Sequence, residues 1–248
     1  MSATLRAQGL HKHFDGVVAA EDVSLEVAAG ERVGLIGSNG AGKTTFVNMV
    51  TGYLKPDSGR IELEGADITG LGPRQVMRRG VARSFQVPQL YPELSVRDNV
   101  LAAAACAAGR LSFWRPAQDP DRIAQAQAIL ERFALAAHAQ RRVAELPGGV
   151  RKLLDIAMAL TRRPSLLLLD EPTSGVSVEE KFPVMDTVMA ALEGEHAAVL
   201  FVEHDMEIVQ RYASRVVAFY SGRILADGAP AAVLADSNVR RHVTGAEA

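Results

Sequence analysis

The clearest candidate for chemistry is residues 37–44, Gly-Ser-Asn-Gly-Ala-Gly-Lys-Thr, which fit the phosphate-binding pattern G-x-x-x-x-G-K-[ST]. The glycines let successive backbone N–H groups point inward, and the N-terminus of a following helix adds partial positive charge. Lys43 is expected to neutralise the β- and γ-phosphates of a nucleotide, and the Thr44 hydroxyl to bind Mg²⁺. The other expected binding residues lie in the same loop: Ser38, Asn39, Gly40, Ala41, Gly42 and Thr45. A glycine-rich turn with an unrelated lysine is the alternative.

Two adjacent acids follow a run of leucines later in the chain. Residues 166–169 form a predicted strand with Asp170 at its C-terminal end, which is where α/β sheets bind their ligands. Asp170 can hold Mg²⁺ through water, while Glu171 can polarise the attacking water as a general base. A solvated acidic pair at a strand end is the alternative, and the phosphate-binding pattern upstream favours the catalytic interpretation.

Strand-like and helical segments surround these residues in an alternating order. Strands are predicted at 22–27, 31–36, 60–64, 81–85, 166–169, 197–202 and 215–220. Helices are predicted at 43–50, 121–135 and 178–192, with a further one from Asp205. Continuous apolar strands that alternate with helices indicate an α/β fold with a parallel sheet covered on both faces.

Length and local composition predict a two-lobed organisation. The 248 residues correspond to about one and a half average domains. Between 88 and 163, Ala and Gln become frequent and strand-like runs are absent. We therefore expect a helical subdomain at 88–163, inserted into a core lobe formed by 1–87 and 164–235, and a C-terminal tail at 236–248.

Composition excludes several classes of protein. A hydrophobic fraction of 48% and a charged fraction of 23% exclude a disordered, collagen-like or coiled-coil chain. The net charge of −2 gives no basic excess, so no nucleic-acid partner is expected. The single cysteine, Cys106, is expected to be a small buried hydrophobe. We find no signal-peptide core and no apolar run of the roughly 18–20 residues that span a membrane, so we expect a cytosolic chain whose membrane role needs a partner.

These motifs together carry a family resemblance. Leu-Asp-Glu-Pro-Thr at 169–173, the phosphate loop, Gln86 after one strand and His204 after another resemble the ATP-binding subunit of ABC transporters over nearly the whole chain. A finer resemblance, to ATPase subunits of branched-chain amino acid type importers and relatives that carry amides, urea or aromatic acids, rests on three stretches: 83–86, 90–96 and 202–206. It implies a single ABC ATP-binding domain with a RecA-like P-loop NTPase core, an antiparallel β portion and the inserted helical subdomain.

The resemblance also implies roles for residues outside the phosphate loop. Gln86 would contact Mg²⁺ and water, sense the γ-phosphate and link the two lobes, while His204 would contact the γ-phosphate and Glu171. Phe14 would stack on the adenine ring, with a core aromatic as the alternative. The implied cofactors are ATP and Mg²⁺; the implied catalytic residues are Glu171, His204 and Gln86, and the implied metal ligands are Thr44, Gln86 and Asp170.

Two segments depart from the family pattern. The family signature Leu-Ser-Gly-Gly-Gln, which serves the nucleotide of the opposite subunit, reads here Leu146, Pro147, Gly148, Gly149 and Val150. Pro147 has neither a hydroxyl nor an N–H group, whereas the glycines and a helix expected to begin near Val150 still offer backbone donors. Ser177 stands where the family commonly has Asp or Asn. Both departures lie in elements that serve across the dimer interface.

The groups that serve the chain's own nucleotide are complete, while those it lends to its partner are altered. This predicts a heterodimer with a second ATPase subunit that carries an intact signature, in preference to a homodimer. The resemblance also implies multi-spanning permease subunits, indirect work with a solute-binding protein and a peripheral position at the cytoplasmic face of the membrane. Residues 87–91 would form the docking groove for a permease helix, or alternatively would cover the core of the helical lobe.

Two other functions fit the same motifs. A non-transport ABC ATPase of translation, DNA repair or iron–sulfur assembly would keep the fold and lack a permease. An ATP-binding regulatory subunit with little hydrolysis would fit the altered Pro147 and Ser177, whereas the presence of Glu171 and His204 favours an active enzyme.

Overall fold

The computed structural model describes residues 3–107 and 120–244 of the 248-residue chain. The chain divides into two units. The sheet unit comprises Met1–Ala82, Ser165–Asp170 and His196–Ala248, and the helical unit comprises Arg83–Pro164 and Glu171–Glu195. Residues 108–119 of the predicted helical subdomain and 245–248 of the predicted tail lie outside the described residues.

The described strands form two sheets. In chain order they are β1 (Ala3–Phe14), β2 (Val17–Ala28), β3 (Arg32–Ile36), β4 (Ser58–Leu63), β5 (Ala66–Asp67), β6 (Val81–Ser84), β7 (Leu166–Asp170), β8 (Ala198–Val202), β9 (Arg215–Tyr220) and β10 (Arg223–Gly228). One sheet has the order β2-β1-β4-β5 with antiparallel pairs. The other has the order β10-β9-β3-β8-β7-β6, in which β9, β3, β8 and β7 are parallel neighbours. A largely parallel sheet together with an antiparallel one confirms the predicted α/β fold.

The helix predicted at 43–50 has the predicted bounds, the helices predicted at 121–135, at 178–192 and from Asp205 occur with shifted ends, and further helices occur for which no range was predicted. In chain order the described helices are α1 (Lys43–Val50), α2 (Pro73–Arg78), α3 (Val96–Ala107), α4 (Pro120–Arg132), α5 (Gly148–Leu160), α6 (Val178–Ala191), α7 (Met206–Tyr212), α8 (Pro230–Ala235) and α9 (Ser237–Val239). The helix predicted at 121–135 ends earlier, because Ala134 adopts a left-handed φ of 55°. The helix expected to begin near Val150 begins two residues earlier, directly after Pro147.

Burial explains the two kinds of strand. Every residue of β8 is buried, as are the four leucines of β7, because both faces of the parallel sheet are covered. In β2 the buried residues Val23, Leu25 and Val27 alternate with exposed ones, as predicted for a strand with one covered face. Helix α1 joins the core of the sheet unit, where the Phe46 ring lies 5.7 Å from the Phe219 ring between centroids.

The helical unit is built around α3 and α5. Helix α5 contacts α3 and α6, and α4 contacts α3. The expectation that Cys106 is buried is wrong: its side chain is exposed. Val100 and Ala104 form the buried face of α3, and Cys106 lies about half a turn away from them. Within 3–107 and 120–244, no helix has both the length and the apolar character required to cross a bilayer.

Candidate nucleotide-binding site

The phosphate loop joins a buried strand to the start of a helix. Strand β3 ends at Ile36 and α1 begins at Lys43, so residues 37–42 form the connection. A Cβ at Gly37 would lie 2.6 Å from the carbonyl oxygen of Phe219, and one at Gly42 would lie 2.8 Å from that of Ala19. These two positions therefore require glycine, and the tight loop between them is the kind in which backbone N–H groups form an anion-binding nest.

Lys43 lies underneath this loop. Its side chain is buried, and its Nζ donates hydrogen bonds to the carbonyl oxygens of Gly37 at 2.5 Å and Ser38 at 3.0 Å. Residues 38–40 and Thr44 are exposed, while Ala41 is buried beneath them. The first turn of α1 contains no acidic residue that would oppose an anion. The loop therefore combines the backbone donors of a helix N-terminus, an ammonium group held beneath the loop and the exposed hydroxyl of Thr44.

Strand register brings three chain segments of the sheet unit to one edge of the sheet. Asp170 pairs with Val202 across β7 and β8, and Val202 pairs with Leu35 across β8 and β3. Asp170 thus lies two strand spacings, about 10 Å, from β3. The phosphate loop begins two residues after Leu35, His204 follows two residues after Val202, and Asp170 is the last residue of β7, so all three lie at or just beyond the C-terminal ends of parallel strands. This edge is where α/β sheets bind ligands.

His204 has an exposed side chain next to a buried acid. Its backbone N–H donates to Oε2 of Glu203 at 3.2 Å, and Glu203 is buried. Sequence reasoning did not single out Glu203. The signal was available, because the acid directly follows the five apolar residues of β8.

Glu171 and Gln86 meet within the helical unit. The Nε2 of Gln86 donates a hydrogen bond to Oε2 of Glu171 at 2.6 Å. Glu171 adopts a left-handed φ of 46°, which costs a residue with a Cβ about 1–2 kcal/mol. Strained backbone of this kind is found at functional sites, where the surrounding structure holds a side chain in a required direction. The structure therefore fixes the direction of the Glu171 carboxylate twice, through its backbone and through Gln86.

Phe14 ends β1 and is 45% exposed, so the alternative of a core aromatic is wrong. The Nζ of Lys12 lies 5.5 Å from the centroid of its ring. The same Nζ donates to Asp57 at 2.6 Å, and this bond, with the backbone N–H of His13, lowers the pKa of Asp57. His11 contacts the carbonyl oxygen of Gly9 through Nδ1 at 3.0 Å. Phe14 is thus a surface aromatic with a cation beside it.

The altered signature forms the N-terminus of α5. Leu146 is buried, Pro147 is exposed and occupies the N-cap, and Gly148 is the first helical residue. The first N–H groups of the helix, which have no intrahelical acceptor, therefore belong to Gly148, Gly149 and Val150. A Cβ at Gly148 would lie 2.8 Å from the carbonyl oxygen of Gly175, so the loop before α6 packs closely against this helix end.

Ser177 begins the helix after that loop. It occupies the N-cap of α6, and its Oγ donates to Oε2 of Glu180 at 3.2 Å. The Ser177 hydroxyl is therefore bonded to a residue in the first turn of the helix that it begins.

A groove of about 460 Å³ lies in the helical unit beside Gln86. Its walls include Val87, Pro88, Leu90 and Arg151. The side chains of Val87 and Tyr91 are largely exposed, so these two residues do not cover the core of the unit.

Comparison with known proteins agrees with this architecture. The sequence model described as ABC transporter matches residues 20–174. The chain is 36% identical to LivG, a high-affinity branched-chain amino acid transport ATP-binding protein of Salmonella typhimurium, over 97% of each chain. It is also 36% identical to BraF of Pseudomonas aeruginosa, which carries the same description, over 91% of each chain. A crystal structure of an ABC-transporter ATP-binding cassette in its ADP conformation superposes with a TM-score of 0.86 at 31% identity, covering 97% of this chain and 98% of the other.

The phosphate loop on a parallel sheet, with an acid at the end of a nearby strand, defines a P-loop nucleotide-binding fold. Within that class the chain belongs to the ABC transporter family, as an ATP-binding subunit and ATPase. The resemblance inferred from the motifs is confirmed.

Proposed function

We propose that this chain hydrolyses ATP to drive an ABC importer for branched-chain amino acids or related small polar solutes. The observation that carries this proposal is its similarity, over nearly the full length of both chains, to LivG and BraF. Its partners would be multi-spanning permease subunits and, indirectly, a solute-binding protein outside the membrane. The chain would act at the cytoplasmic face.

The phosphate loop supports ATP as the ligand, and its surroundings fit a Mg²⁺ ion. Gly37 and Gly42 allow the loop to pack closely against the main chains of Phe219 and Ala19, and Lys43 supplies the positive charge. The ion would be held by oxygen donors, which Mg²⁺ prefers, from Thr44, Asp170 and Gln86. It would offset charge on the β- and γ-phosphates. Phe14 would provide the face for the adenine ring.

Glu171 is the proposed general base. A water oxygen attacks the γ-phosphorus, the bond to the β-γ bridging oxygen breaks, and the water proton passes to the Glu171 carboxylate. His204 would bind a γ-phosphate oxygen. In the structure the Gln86 amide donates to Glu171, so it holds the carboxylate in place; with nucleotide bound, the amide would turn to the γ-phosphate side.

The altered signature supports a heterodimer. Pro147 stands where a serine hydroxyl and an N–H group would face the partner's nucleotide, and Ser177 is engaged with Glu180. Both changes lie in elements that this chain would lend to the partner's nucleotide. We therefore propose that its own nucleotide is completed by the intact signature of a second, different ATPase subunit, and that the opposite site turns over slowly.

Segment 87–91, in which Val87, Gln89 and Tyr91 are exposed, is the proposed docking point for the permease. Its apolar side chains border the groove beside Gln86, so a short amphipathic helix could seat there. Movement of the helical subdomain, predicted at 88–163, would carry dimer closure to that helix.

Co-purification tests the transport assignment. The tagged chain would be isolated from detergent-solubilised native membranes, and every stoichiometric partner identified by mass spectrometry. We expect multi-spanning permeases together with a second ATPase that has an intact Leu-Ser-Gly-Gly-Gln signature. Recovery alone, or with ribosomes or DNA, would contradict the importer while leaving the nucleotide site intact.

A regulatory subunit with little hydrolysis is the second candidate, favoured by the altered residues Pro147 and Ser177. It predicts tight ATP binding with no phosphate release in any complex. An importer ATPase predicts phosphate release that depends on Glu171, and a single-turnover measurement on the purified complex separates the two.

A further inference from the structure

A buried amine on helix α5 holds the chain segment that contains Gln86. Lys152 is only 1% exposed, although it is a lysine. Its Nζ donates to the carbonyl oxygen of Phe85 at 2.8 Å and to that of Gln86 at 3.2 Å. Burying an ammonium group is costly unless it finds hydrogen-bond acceptors, and here the acceptors are the main chain of a loop 66 residues away in sequence.

A buried carboxylate on the same face of α5 holds the rest of that loop. Asp155 follows Lys152 by three residues, so the two side chains share one helix face. It accepts a hydrogen bond from the Ser84 hydroxyl at 2.6 Å and from the backbone N–H of Gln89 at 3.0 Å. Burial raises the pKa of Asp155, and the Ser84 bond is the largest of the contacts that oppose this rise. Asp155 thus holds both ends of the 84–89 segment, and Lys152 holds its middle.

The contacts continue from this segment to the general base. Lys152 fixes the main chain of Gln86, and the Gln86 amide reaches the Glu171 carboxylate. Lys152 lies one turn after Gly148, the first residue of α5. A displacement of the α5 N-terminus would therefore move, through one rigid helical turn, the main chain that aims Gln86.

We propose that Lys152 and Asp155 are positioning residues. When the N-terminus of α5 binds the nucleotide of the opposite subunit, these two residues transmit its displacement to Gln86. Gln86 in turn adjusts Glu171 in this chain's own site. The inference rests on the proposed ATPase dimer. It assigns a function to two buried residues that follow the signature on the same helix. In this arrangement the residues that this chain lends to its partner also set the readiness of its own catalytic glutamine.

The test measures ATP turnover of the complex purified through a tag on the full-length chain. Lys152→Met removes the donor and keeps a long side chain, and we expect kcat to fall about 10- to 100-fold with KM for ATP nearly unchanged. Lys152→Arg, which keeps charged donors, should restore most of the loss. In a chain that already carries Gln86→Ala, Lys152→Met should lower kcat little further, because both substitutions act through Gln86.

Two comparisons separate positioning from folding. Asn99→Ala is the matched control: Asn99 is buried in the same unit and bonds the main chain of Tyr91 and Ser95, so its loss should lower the melting temperature and leave kcat unchanged. Should Lys152→Met not fold, Ser84→Ala removes one contact of Asp155 with little change in volume, and the same non-additivity with Gln86→Ala is required.

Three results would overturn the inference: wild-type kcat in both Lys152→Met and Ser84→Ala, losses that add to that of Gln86→Ala, or equal loss in Asn99→Ala. Glu171→Gln is measured in parallel. If that variant keeps full turnover, the proposed function itself fails; if it loses turnover while Lys152→Met does not, only the positioning role is wrong.

Discussion

Gly42 occupies a position that a residue with a Cβ could take only by displacing the main chain of Ala19. Its φ of 108° adds strain for any other residue. We expect Gly42→Ala to weaken ATP binding about tenfold or more, because the loop can no longer present its N–H groups in one arrangement. Isothermal titration with ATP measures this effect.

Gly30→Ala is the matched control for that variant. Gly30 has a φ of 72° but open space around a built Cβ. The Gly30→Ala substitution should therefore lower the free energy of unfolding by about 1 kcal/mol through backbone strain and leave ATP affinity unchanged. Equal ATP affinity in the two variants would show that close packing of the loop does not matter.

Glu171 is the residue whose loss should stop the reaction without stopping binding. Glu171→Gln keeps the shape and the left-handed backbone but cannot accept the proton of water. We expect kcat to fall about 10²- to 10⁴-fold while ATP affinity is kept or rises. Glu193→Gln, an exposed glutamate of the helical unit, should leave turnover unchanged. Phosphate release in single-turnover conditions checks both.

At the scale of elements, α6 contains a proline in its interior. Pro183 is exposed and lies at the sixth residue of the helix, where its missing N–H removes one backbone hydrogen bond. We expect Pro183→Ala to stabilise the chain by about 1–3 kcal/mol, since no packed side chain is lost. Denaturant unfolding measures the change in free energy.

Pro230 provides the control, because it stands at the first residue of α8, where the N–H group would have no helical partner. Pro230→Ala should be neutral or slightly destabilising, because it only raises the conformational entropy of the unfolded chain. Stabilisation by both substitutions would mean that position in the helix is not the cause.

The sequence predicted those elements whose signal is local. The phosphate loop, the leucine strand before Asp170 and helix 43–50 were readable because motif, alternation and apolar runs act over a few residues. The start of α5 at Gly148 was missed, because Pro147 was judged by its missing donors and not by its suitability as the residue before a helix. The apolar neighbours of Cys106 predict burial, but only one face of α3 is buried and Cys106 lies on the other.

The contacts between distant segments could not be predicted. Lys152 and Asp155 are three residues apart on a predictable helix, but nothing in their spacing identifies the 84–89 loop as their partner. Likewise the bond from Gln86 to Glu171 joins residues 85 positions apart. Such pairs depend on tertiary packing, which a single sequence does not reveal.

At the scale of the whole molecule, the phosphate loop lies in a different unit from the residues that the chain would lend to its partner, while Gln86 and Glu171 of its own site share the helical unit with them. The phosphate loop and Asp170 lie in the sheet unit, with close packing that requires glycine at two positions. The altered signature and Ser177 lie in the helical unit, at the starts of α5 and α6. A substitution in the second set should therefore affect the partner's nucleotide more than this chain's own.

The final prediction is that the two nucleotide sites of the heterodimer hydrolyse ATP at unequal rates. In the purified heterodimer, Glu171→Gln should remove nearly all steady-state ATP turnover, because its site alone is completed by an intact signature. The corresponding Glu→Gln change in the second subunit should leave most of the turnover. Pro147→Ser, which restores a hydroxyl and an N–H group at the start of α5, should leave turnover similar or raise it. Steady-state phosphate release by the three variant complexes checks this, and equal losses from the two glutamate changes would establish symmetric sites and exclude the proposed asymmetry.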